Sequence, residues 1–270
     1  MGEEKNGMSN LMLRVLTALV ALPLFILLLF KGTFLYFGIF VSVVIIGALY
    51  EFYRLLEQGG IKCYTWLGLG LTFLFIIDHG TISRGSALAF VVVWLYALLD
   101  KREPAQVFPS IMGTSLGIFY LGWMLNYVIW LRRYPQGSGL ILWLCAMIWS
   151  NDTTAYFTGR AWGKHKLSPR LSPGKTIEGA IGGLLASVLV AWLGRTWFLD
   201  NIGWINVTIL GLILGIVSQA SDLGESLIKR WAGVKDSGAI LPGHGGLLDR
   251  IDSLIFSAPV MYYWARMFLM

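Results

Sequence analysis

Long apolar runs separated by short polar stretches make up most of the chain from residue 11 onward. A helix needs about 20 apolar residues to cross the hydrocarbon core of a bilayer. The pattern predicts nine membrane-spanning helices, at Leu11–Phe30, Thr33–Tyr50, Tyr64–Ile77, Ala87–Leu99, Ser110–Leu131, Gly139–Phe157, Ile177–Phe198, Ile205–Ser221 and Leu248–Met270. Eight spans is the main alternative, because the third and fourth runs are short enough to be tilted or re-entrant. The predicted fold class is an all-α, polytopic integral membrane protein.

The composition agrees with a membrane protein. Only 13% of the 270 residues are charged and 56% are hydrophobic, whereas soluble domains carry about 25% charged residues. The two cysteines, Cys63 and Cys145, match no disulfide framework or metal motif, so we expect two unpaired buried thiols. Residues 1–10 form a polar tail. The first apolar run is expected to be a retained helix, because no A-x-A cleavage site follows it.

The distribution of positive charge predicts the orientation. In a nine-span topology, fifteen of the 21 lysine and arginine residues fall on the same side as the N-terminus. Positively charged loops stay in the cytoplasm. We therefore expect the N-terminus and two long polar loops, residues 158–176 and 222–248, to face the cytoplasm, and the C-terminus to face outward.

The first polar loop, within residues 150–179, combines five cations with His165, glycines and two Ser-Pro steps. Its end, Ser172–Thr176, is similar to the end of a phosphate-binding Walker A loop. A P-loop is rejected because Pro169 stands where the first glycine of that motif is required. Either Thr176 caps the next helix, or Lys175 and the free amides of the helix start bind an anion.

A row of polar residues accompanies the end of the eighth apolar run. Their spacings of three and four place them on one helix face: Ser218, Ser221, Asp222, Glu225, Ser226 and Lys229. Acids at the end of a membrane span are costly unless they face water, a partner or an ion. Glu225 and Lys229 are explained as an i,i+4 pair on a helix end that emerges into solvent. Asp222 lies nearer the apolar run and is a candidate metal ligand.

The stretch before the last apolar run combines acids, cations and glycines: His244, Gly245, Gly246, Asp249, Arg250 and Asp252. Acids favour a helix N-terminus in any protein. Adjacent glycines also let backbone amides approach an anion closely, and aspartates offer the oxygen ligands that Mg²⁺ prefers. The combination predicts phosphoryl or nucleotidyl transfer. No histidine spacing indicates a zinc site.

Residues 226–252 resemble the signature of the phosphatidate cytidylyltransferases, or CDP-diacylglycerol synthases. The matching positions are Ser226, Lys229, Arg230, Lys235, Asp236, Gly238 and the segment Leu241–Asp252. The upstream loop, residues 163–179, is also similar to that family. Thr154 departs from the pattern, where a smaller residue is expected. The specific resemblance covers residues 150–252, and the preceding residues match only in hydropathy.

The resemblance implies that CTP and phosphatidic acid give CDP-diacylglycerol and pyrophosphate, with Mg²⁺ required. We expect Asp222 and Asp249 to hold one metal ion or a pair, with Asp252 and Asp152 as further candidates and Asp236 as a supporting acid. Four cations are expected to bind the triphosphate or pyrophosphate: Lys229, Arg230, Lys235 and Arg250. Lys164, Lys166 and Lys175 would bind one of the two substrates. Ser226 would orient a phosphate or a ligand, while Gly245 and Gly246 allow close approach. His244 would either contact pyrophosphate or shape the glycine turn.

The expected organisation is an N-terminal transmembrane half, residues 11–149, and a catalytic half, residues 150–270. We expect a homodimer in the inner (cytoplasmic) membrane, with its site on the cytoplasmic side and no nucleic-acid partner. One alternative is a CTP-dependent polyprenol kinase, which would release CDP. Another is a transporter, which would need charges in mid-span and paired broken segments. A CDP-alcohol phosphotransferase is disfavoured because its DGxxAR motif is absent.

Overall fold

The computed structural model describes residues 19–77, 82–198, 202–238 and 245–269. The helices are α1 Leu19–Lys31, α2 Phe34–Gln58, α3 Thr65–Ile77, α4 Ile82–Ala97, α5 Pro104–Gly117, α6 Met124–Leu131, α7 Gly137–Trp162, α8 Ile177–Phe198, α9 Trp204–Trp231 and α10 Asp252–Leu269. A π-helical segment, Ile118–Trp123, joins α5 to α6, and a 3₁₀ turn, Leu248–Arg250, precedes α10. Strands β1 Lys166–Ser168 and β2 Ser172–Thr176 form an antiparallel hairpin between α7 and α8.

The helical character confirms the all-α class, and each predicted apolar run contains a helix within the described residues. Four helical stretches are long and apolar enough to cross a membrane, judged by length and composition: Phe34–Gln58, Pro104–Leu131, Ile177–Trp197 and Trp204–Trp231. Helices of this length and composition indicate a membrane protein. Nine crossings and a cytoplasmic N-terminus stay predictions.

Several helices continue beyond the apolar runs that predict them. Helix α2 ends at Gln58 rather than Tyr50, α7 at Trp162 rather than Phe157, and α9 at Trp231 rather than Ser221. A helix is held by its own backbone hydrogen bonds, so polar side chains extend it without interrupting it. The two polar loops are correspondingly shorter, and the first one contains the unpredicted β-hairpin.

The helices of the C-terminal half pack in sequence, with α7 along α8, α8 along α9, and α9 along α10. Close approach depends on glycines of α8. A methyl group on Gly183 would meet both the side chain and the backbone of Asn151 on α7. Small residues play this role at helix interfaces in membranes. Thr154, the departure from the family pattern, is half-buried on α7, and its carbonyl accepts a hydrogen bond of 2.6 Å from Thr158.

Helix α2 connects the N-terminal half to the rest of the core. Its side chains Phe37, Phe52 and Tyr53 are fully buried, and the Tyr53 hydroxyl donates to the Thr114 carbonyl at 2.9 Å. The helix also contacts α9 and the 3₁₀ turn before α10. The N-terminal half therefore reaches the segment that carries Asp249.

Candidate active site

A cavity of about 600 Å³ opens between the β-hairpin and helices α7 to α10. Four aspartates line it, each from a different segment: Asp152 on α7, Asp222 on α9, Asp249 in the 3₁₀ turn and Asp252 at the start of α10. Lys175 of β2 also lines it. The fold thus collects acids that are up to 100 positions apart in the sequence and places a cation among them.

Asp222 forms an ion pair with the hairpin. Its Oδ2 atom lies 2.5 Å from the Lys175 ammonium, and both side chains are about one quarter exposed. Among the described residues, its other oxygen, Oδ1, has a single long contact, 3.5 Å from the Ser226 hydroxyl. One face of this carboxylate is therefore available to a ligand in the cavity.

The Asp249 carboxylate is held by four donors. Oδ1 accepts from Lys229 at 2.6 Å, and Oδ2 accepts from the Ser237 amide at 3.0 Å, the Ser237 hydroxyl at 2.9 Å and the Gly246 amide at 3.0 Å. Burial alone would raise the pKa of Asp249, but Lys229 and Ser237 together hold it below its ordinary value. Gly245 has a φ of +79°, which glycine adopts readily and which lets the chain turn so that the next amide faces Asp249.

Lys229 also pairs with Glu225, its neighbour one helical turn earlier, at 2.6 Å. The spacing predicts this pair, and the structure confirms it. The expectation that it emerges into solvent is wrong, because the Glu225 side chain is 0% exposed. The predicted polar face of α9 is confirmed as a face turned inward, since Ser218, Ser221 and Ser226 are buried as well.

The remaining predicted cations do not line the cavity. Arg230 donates to the carbonyls of Leu171 at 3.2 Å and Val234 at 3.0 Å, so it ties the hairpin tip to the end of α9. The other predicted charged residues are exposed and do not line the cavity: Lys164, Lys166, Lys235, Asp236 and Arg250. His244 lies outside the described residues.

Of the two roles expected at the start of α8, the structure shows the cap, and anion binding by Lys175 stays a prediction. The Thr176 hydroxyl accepts a hydrogen bond of 3.1 Å from the Gly179 amide. Lys175, its neighbour, points to Asp222. At the start of α10, the Asp252 carboxylate accepts from the Ser253 amide at 2.6 Å, and its carbonyl accepts from the Ser221 hydroxyl.

Two amide side chains that the sequence did not single out support the cavity wall. Asn151 donates to the Gly215 carbonyl and the Ser218 hydroxyl, both at 2.8 Å. Gln219 lines the cavity and donates to Asn151 Oδ1 at 2.9 Å and to the Ala180 carbonyl at 3.0 Å. These bonds tie α7, α8 and α9 together at the cavity wall. The available signal was an amide residue inside an apolar run.

Glu51 of α2 is a third residue that the sequence did not single out. Its Oε2 atom accepts a hydrogen bond of 2.8 Å from the Leu248 amide, and the side chain is buried. The predicted span ended at Tyr50, which left Glu51 in a supposed loop. An acid within a membrane helix is itself a functional signal, and a correct helix boundary would have revealed it.

The acids of this cavity fit a divalent cation that takes only one or two carboxylate ligands from the protein. Among the described residues, no group of three or more His, Cys, Asp or Glu side chains is placed to hold a metal ion. Mg²⁺ is commonly bound by one or two carboxylates together with substrate phosphates and waters. Carboxylate ligands of this kind are available from Asp222 and Asp249, which line the same cavity. The Oδ1 atom of Asp222 has a long contact of 3.5 Å from the Ser226 hydroxyl. Their role in holding a metal stays a prediction.

Comparisons with known proteins agree on one group of enzymes. Residues 12–268 match the model of the cytidylyltransferase family. The chain is 37% identical to a phosphatidate cytidylyltransferase of Brucella abortus over 97% of its own length and 95% of that protein. It is 34% identical to one of Bacillus subtilis, covering 94% and 97%, and 38% identical to one of Staphylococcus aureus, covering 92% and 96%.

Proposed function

Since the chain belongs to the phosphatidate cytidylyltransferases of the cytidylyltransferase family, we propose that it joins CTP and phosphatidate by direct attack within the aspartate-lined cavity. The products are CDP-diacylglycerol and pyrophosphate. The observation that supports this site is the meeting of Asp152, Asp222, Asp249 and Asp252 with Lys175 around one cavity.

The reaction needs charge neutralisation more than proton transfer. A phosphate oxygen of phosphatidate bonds to the α-phosphorus of CTP, and the bond from that phosphorus to the oxygen bridging the β-phosphate breaks. Pyrophosphate leaves with the electron pair. The attacking oxygen is already anionic at neutral pH, so no strong general base is required. Negative charge crowds around the α-phosphorus, and positioned positive charge lowers that barrier.

Asp222 and Asp249 would hold Mg²⁺ together with substrate phosphates, and Asp252 and Asp152 stay further candidates. When bound, the ion supplies positive charge to the phosphate oxygens. The support for Asp222 is its accessible oxygen, and the support for Asp249 is its position in the same lining. A second cation stays a prediction.

The lysines would bind phosphate from beside these acids. Lys175, which lines the cavity, and Lys229 have their ammonium groups within 2.6 Å of Asp222 and Asp249, so positive charge lies beside both acids. Ser226 would orient a phosphate or the Asp222 ligand, whose Oδ1 atom lies 3.5 Å from its hydroxyl. The exposed Lys235 and Arg250 would bind the triphosphate, and the exposed Lys164 and Lys166 would bind the phosphate of one of the two substrates. Arg230 fixes the hairpin on which Lys175 lies.

The two substrates come from different phases. Phosphatidate lies in the leaflet and CTP in water, so the site belongs at a lipid–water boundary. The excess of positive charge on one side supports the cytoplasmic face of the inner membrane. The homodimer stays a prediction.

The test uses the purified protein in detergent with CTP labelled in the cytidine and α-phosphate, with and without phosphatidate and Mg²⁺. We expect label in the lipid fraction and one pyrophosphate for each lipid formed, only when phosphatidate and Mg²⁺ are present. Release of CDP with phosphorylated lipid would instead indicate a lipid kinase. No turnover, with uptake of a solute into vesicles, would indicate a transporter.

A further inference from the structure

Glu51 is a deeply buried acid in the half of the chain to which no catalytic role is attached. It lies on α2 with only 3% of its surface exposed, next to the fully buried Phe52 and Tyr53. Burial of a carboxyl group is costly unless hydrogen bonds compensate for lost water. The hydrogen bonds that Glu51 makes therefore indicate what keeps it there.

Both of its described hydrogen-bond partners belong to the segments that hold Asp249. Glu51 Oε2 accepts from the Leu248 amide at 2.8 Å, and the Ser237 hydroxyl lies 3.4 Å from the same atom. That hydroxyl is 2.9 Å from Asp249 Oδ2. A hydroxyl has one proton to donate, so Ser237 donates it to Asp249, the nearer acceptor. Glu51 then contacts the serine oxygen without receiving its proton.

Two glycines of the signature pack directly on the Glu51 carboxylate. A methyl group on Gly246 would lie 2.8 Å from Glu51 Oε2, and one on Gly238 would meet Glu51 Oε1. Gly246 also donates its amide to Asp249. The backbone on each side of residues 239–244 is thus built around this side chain, and a larger residue at either glycine would push the backbone away from it.

We propose that Glu51 is a positioning residue: it fixes residues 237–238 and 246–248 against α2, and through Ser237 and Gly246 it sets the orientation of the Asp249 carboxylate toward the cavity. The N-terminal half then contributes to catalysis without touching the substrate. The kinetic part of this inference rests on the proposed function, whereas the structural part does not.

The test compares three variants in detergent. Glu51→Ala removes the acceptor of the Leu248 amide, Glu51→Gln keeps an oxygen of nearly the same reach, and Glu57→Ala is the control. Glu57 lies on the same helix but is about one third exposed; it pairs with Arg54 at 3.6 Å and has a long contact of 3.5 Å from the Thr65 hydroxyl. Two quantities are measured: hydrogen–deuterium exchange of the peptides that carry residues 237–238 and 245–250, without substrate or metal, and kcat and KM for CTP.

We expect faster exchange in Glu51→Ala that is confined to these peptides, while peptides of α8 and α9 keep wild-type protection. We expect kcat to fall about 10- to 100-fold, the cost of a small misplacement of a catalytic group, with KM for CTP changed less than about two-fold. Glu51→Gln should restore both the protection and most of kcat, and Glu57→Ala should match the wild type.

Exchange in Glu51→Ala that equals the wild type, or that rises evenly over all helices, overturns the positioning role. So does a kcat within about two-fold of the wild type. If the wild-type protein forms no lipid-linked CMP, the proposed function fails, but the exchange measurement still decides whether Glu51 fixes the loop.

Discussion

The ammonium nitrogen of Lys229 lies 2.6 Å from Oδ1 of Asp249, 20 residues further along the chain. The same nitrogen lies 2.6 Å from the buried Glu225. A single lysine therefore fixes the last turns of α9 to the segment that leads into α10. Its positive charge also offsets the negative charge of one of the two acids, Glu225 and Asp249, that it contacts.

Replacing Lys229 with methionine should destabilise the fold as well as the reaction. The change keeps the length of the side chain but leaves Glu225 buried without its cation. Breaking a buried ion pair from one side costs about 3–5 kcal/mol. Unfolding in detergent by a denaturant titration measures the loss.

The double variant Lys229→Met/Glu225→Gln should recover part of that stability, because no uncompensated charge stays buried at position 225. Lys62→Met, at an exposed lysine, is the control and should change stability by no more than about 0.5 kcal/mol. Equal losses in Lys229→Met and Lys62→Met would show that the buried pair contributes nothing.

Asp222→Asn and Asp249→Asn should both remove most activity but differ in stability. Each loses a negative charge that the cavity presents to metal and substrate, and we expect kcat to fall about 10²–10³-fold. Asp249 also accepts bonds from Lys229, Ser237 and Gly246, so its variant should unfold more easily. Asp222 has fewer protein partners, and its variant should keep near wild-type stability.

The measurements are kcat over a range of Mg²⁺ concentrations and a thermal unfolding curve for each variant. Glu103→Gln, at an exposed residue before α5, controls for the loss of one charge. Full activity in either aspartate variant would exclude that aspartate from the metal site. Equal unfolding curves would contradict the scaffolding role of Asp249.

Two lysines on one hairpin offer a matched comparison. Lys175 lines the cavity beside Asp222, whereas Lys166 on the paired strand is exposed and lies outside the lining. A hydrogen bond to a charged group is worth about 1.5–3 kcal/mol, roughly 10- to 100-fold. We expect Lys175→Ala to lower kcat/KM by that amount and Lys166→Ala to lower it clearly less.

The assay varies CTP and phosphatidate separately, so that the substrate with the changed KM identifies what Lys175 binds. A larger loss in Lys166→Ala than in Lys175→Ala would mean that exposed cations outside the lining, rather than the cavity itself, hold the phosphates.

The sequence predicts those parts of the fold that depend on local patterns. Apolar runs place the helices, spacings of three and four predict the polar face of α9, and Thr176 is one of two interpretations at the start of α8. The pattern failed where tertiary contacts decide. Glu51 was missed because the apolar run stops at Tyr50 although the helix does not.

Other features could not be read from local sequence because they depend on a distant partner. In the sequence, Glu225 and Lys229 have the spacing of a surface ion pair. In the structure, Lys229 also pairs with Asp249 of the following segment. The pairing of Lys166 with Thr176 in the hairpin follows no strong alternation of residues. The amides of Asn151 and Gln219 acquire their role only when α7, α8 and α9 meet.

The meeting of α7 and α8 gives the last prediction, a comparison of two glycines inside helices. A methyl group at Gly183 would lie 2.8 Å from the backbone carbonyl oxygen of Asn151 and 3.1 Å from the Ala155 side chain, and would also clash with the side-chain oxygen Oδ1 of Asn151. At Gly38 on α2 a methyl group meets nothing within 4 Å. Overpacking costs about 1–3 kcal/mol, whereas alanine in an open helical position gains up to about 1 kcal/mol over glycine.

We therefore expect Gly183→Ala to lower stability and Gly38→Ala to leave it unchanged or raise it. Activity should follow, because Asn151 holds Gln219 in the cavity wall and a displaced Asn151 shifts that wall. Denaturant titration in detergent, paired with kcat, checks both. If Gly183→Ala behaves like Gly38→Ala, helices α7 and α8 separate enough to accept the methyl group. Close packing at Gly183 would then not be what holds the acids of α7 and α9 around one cavity.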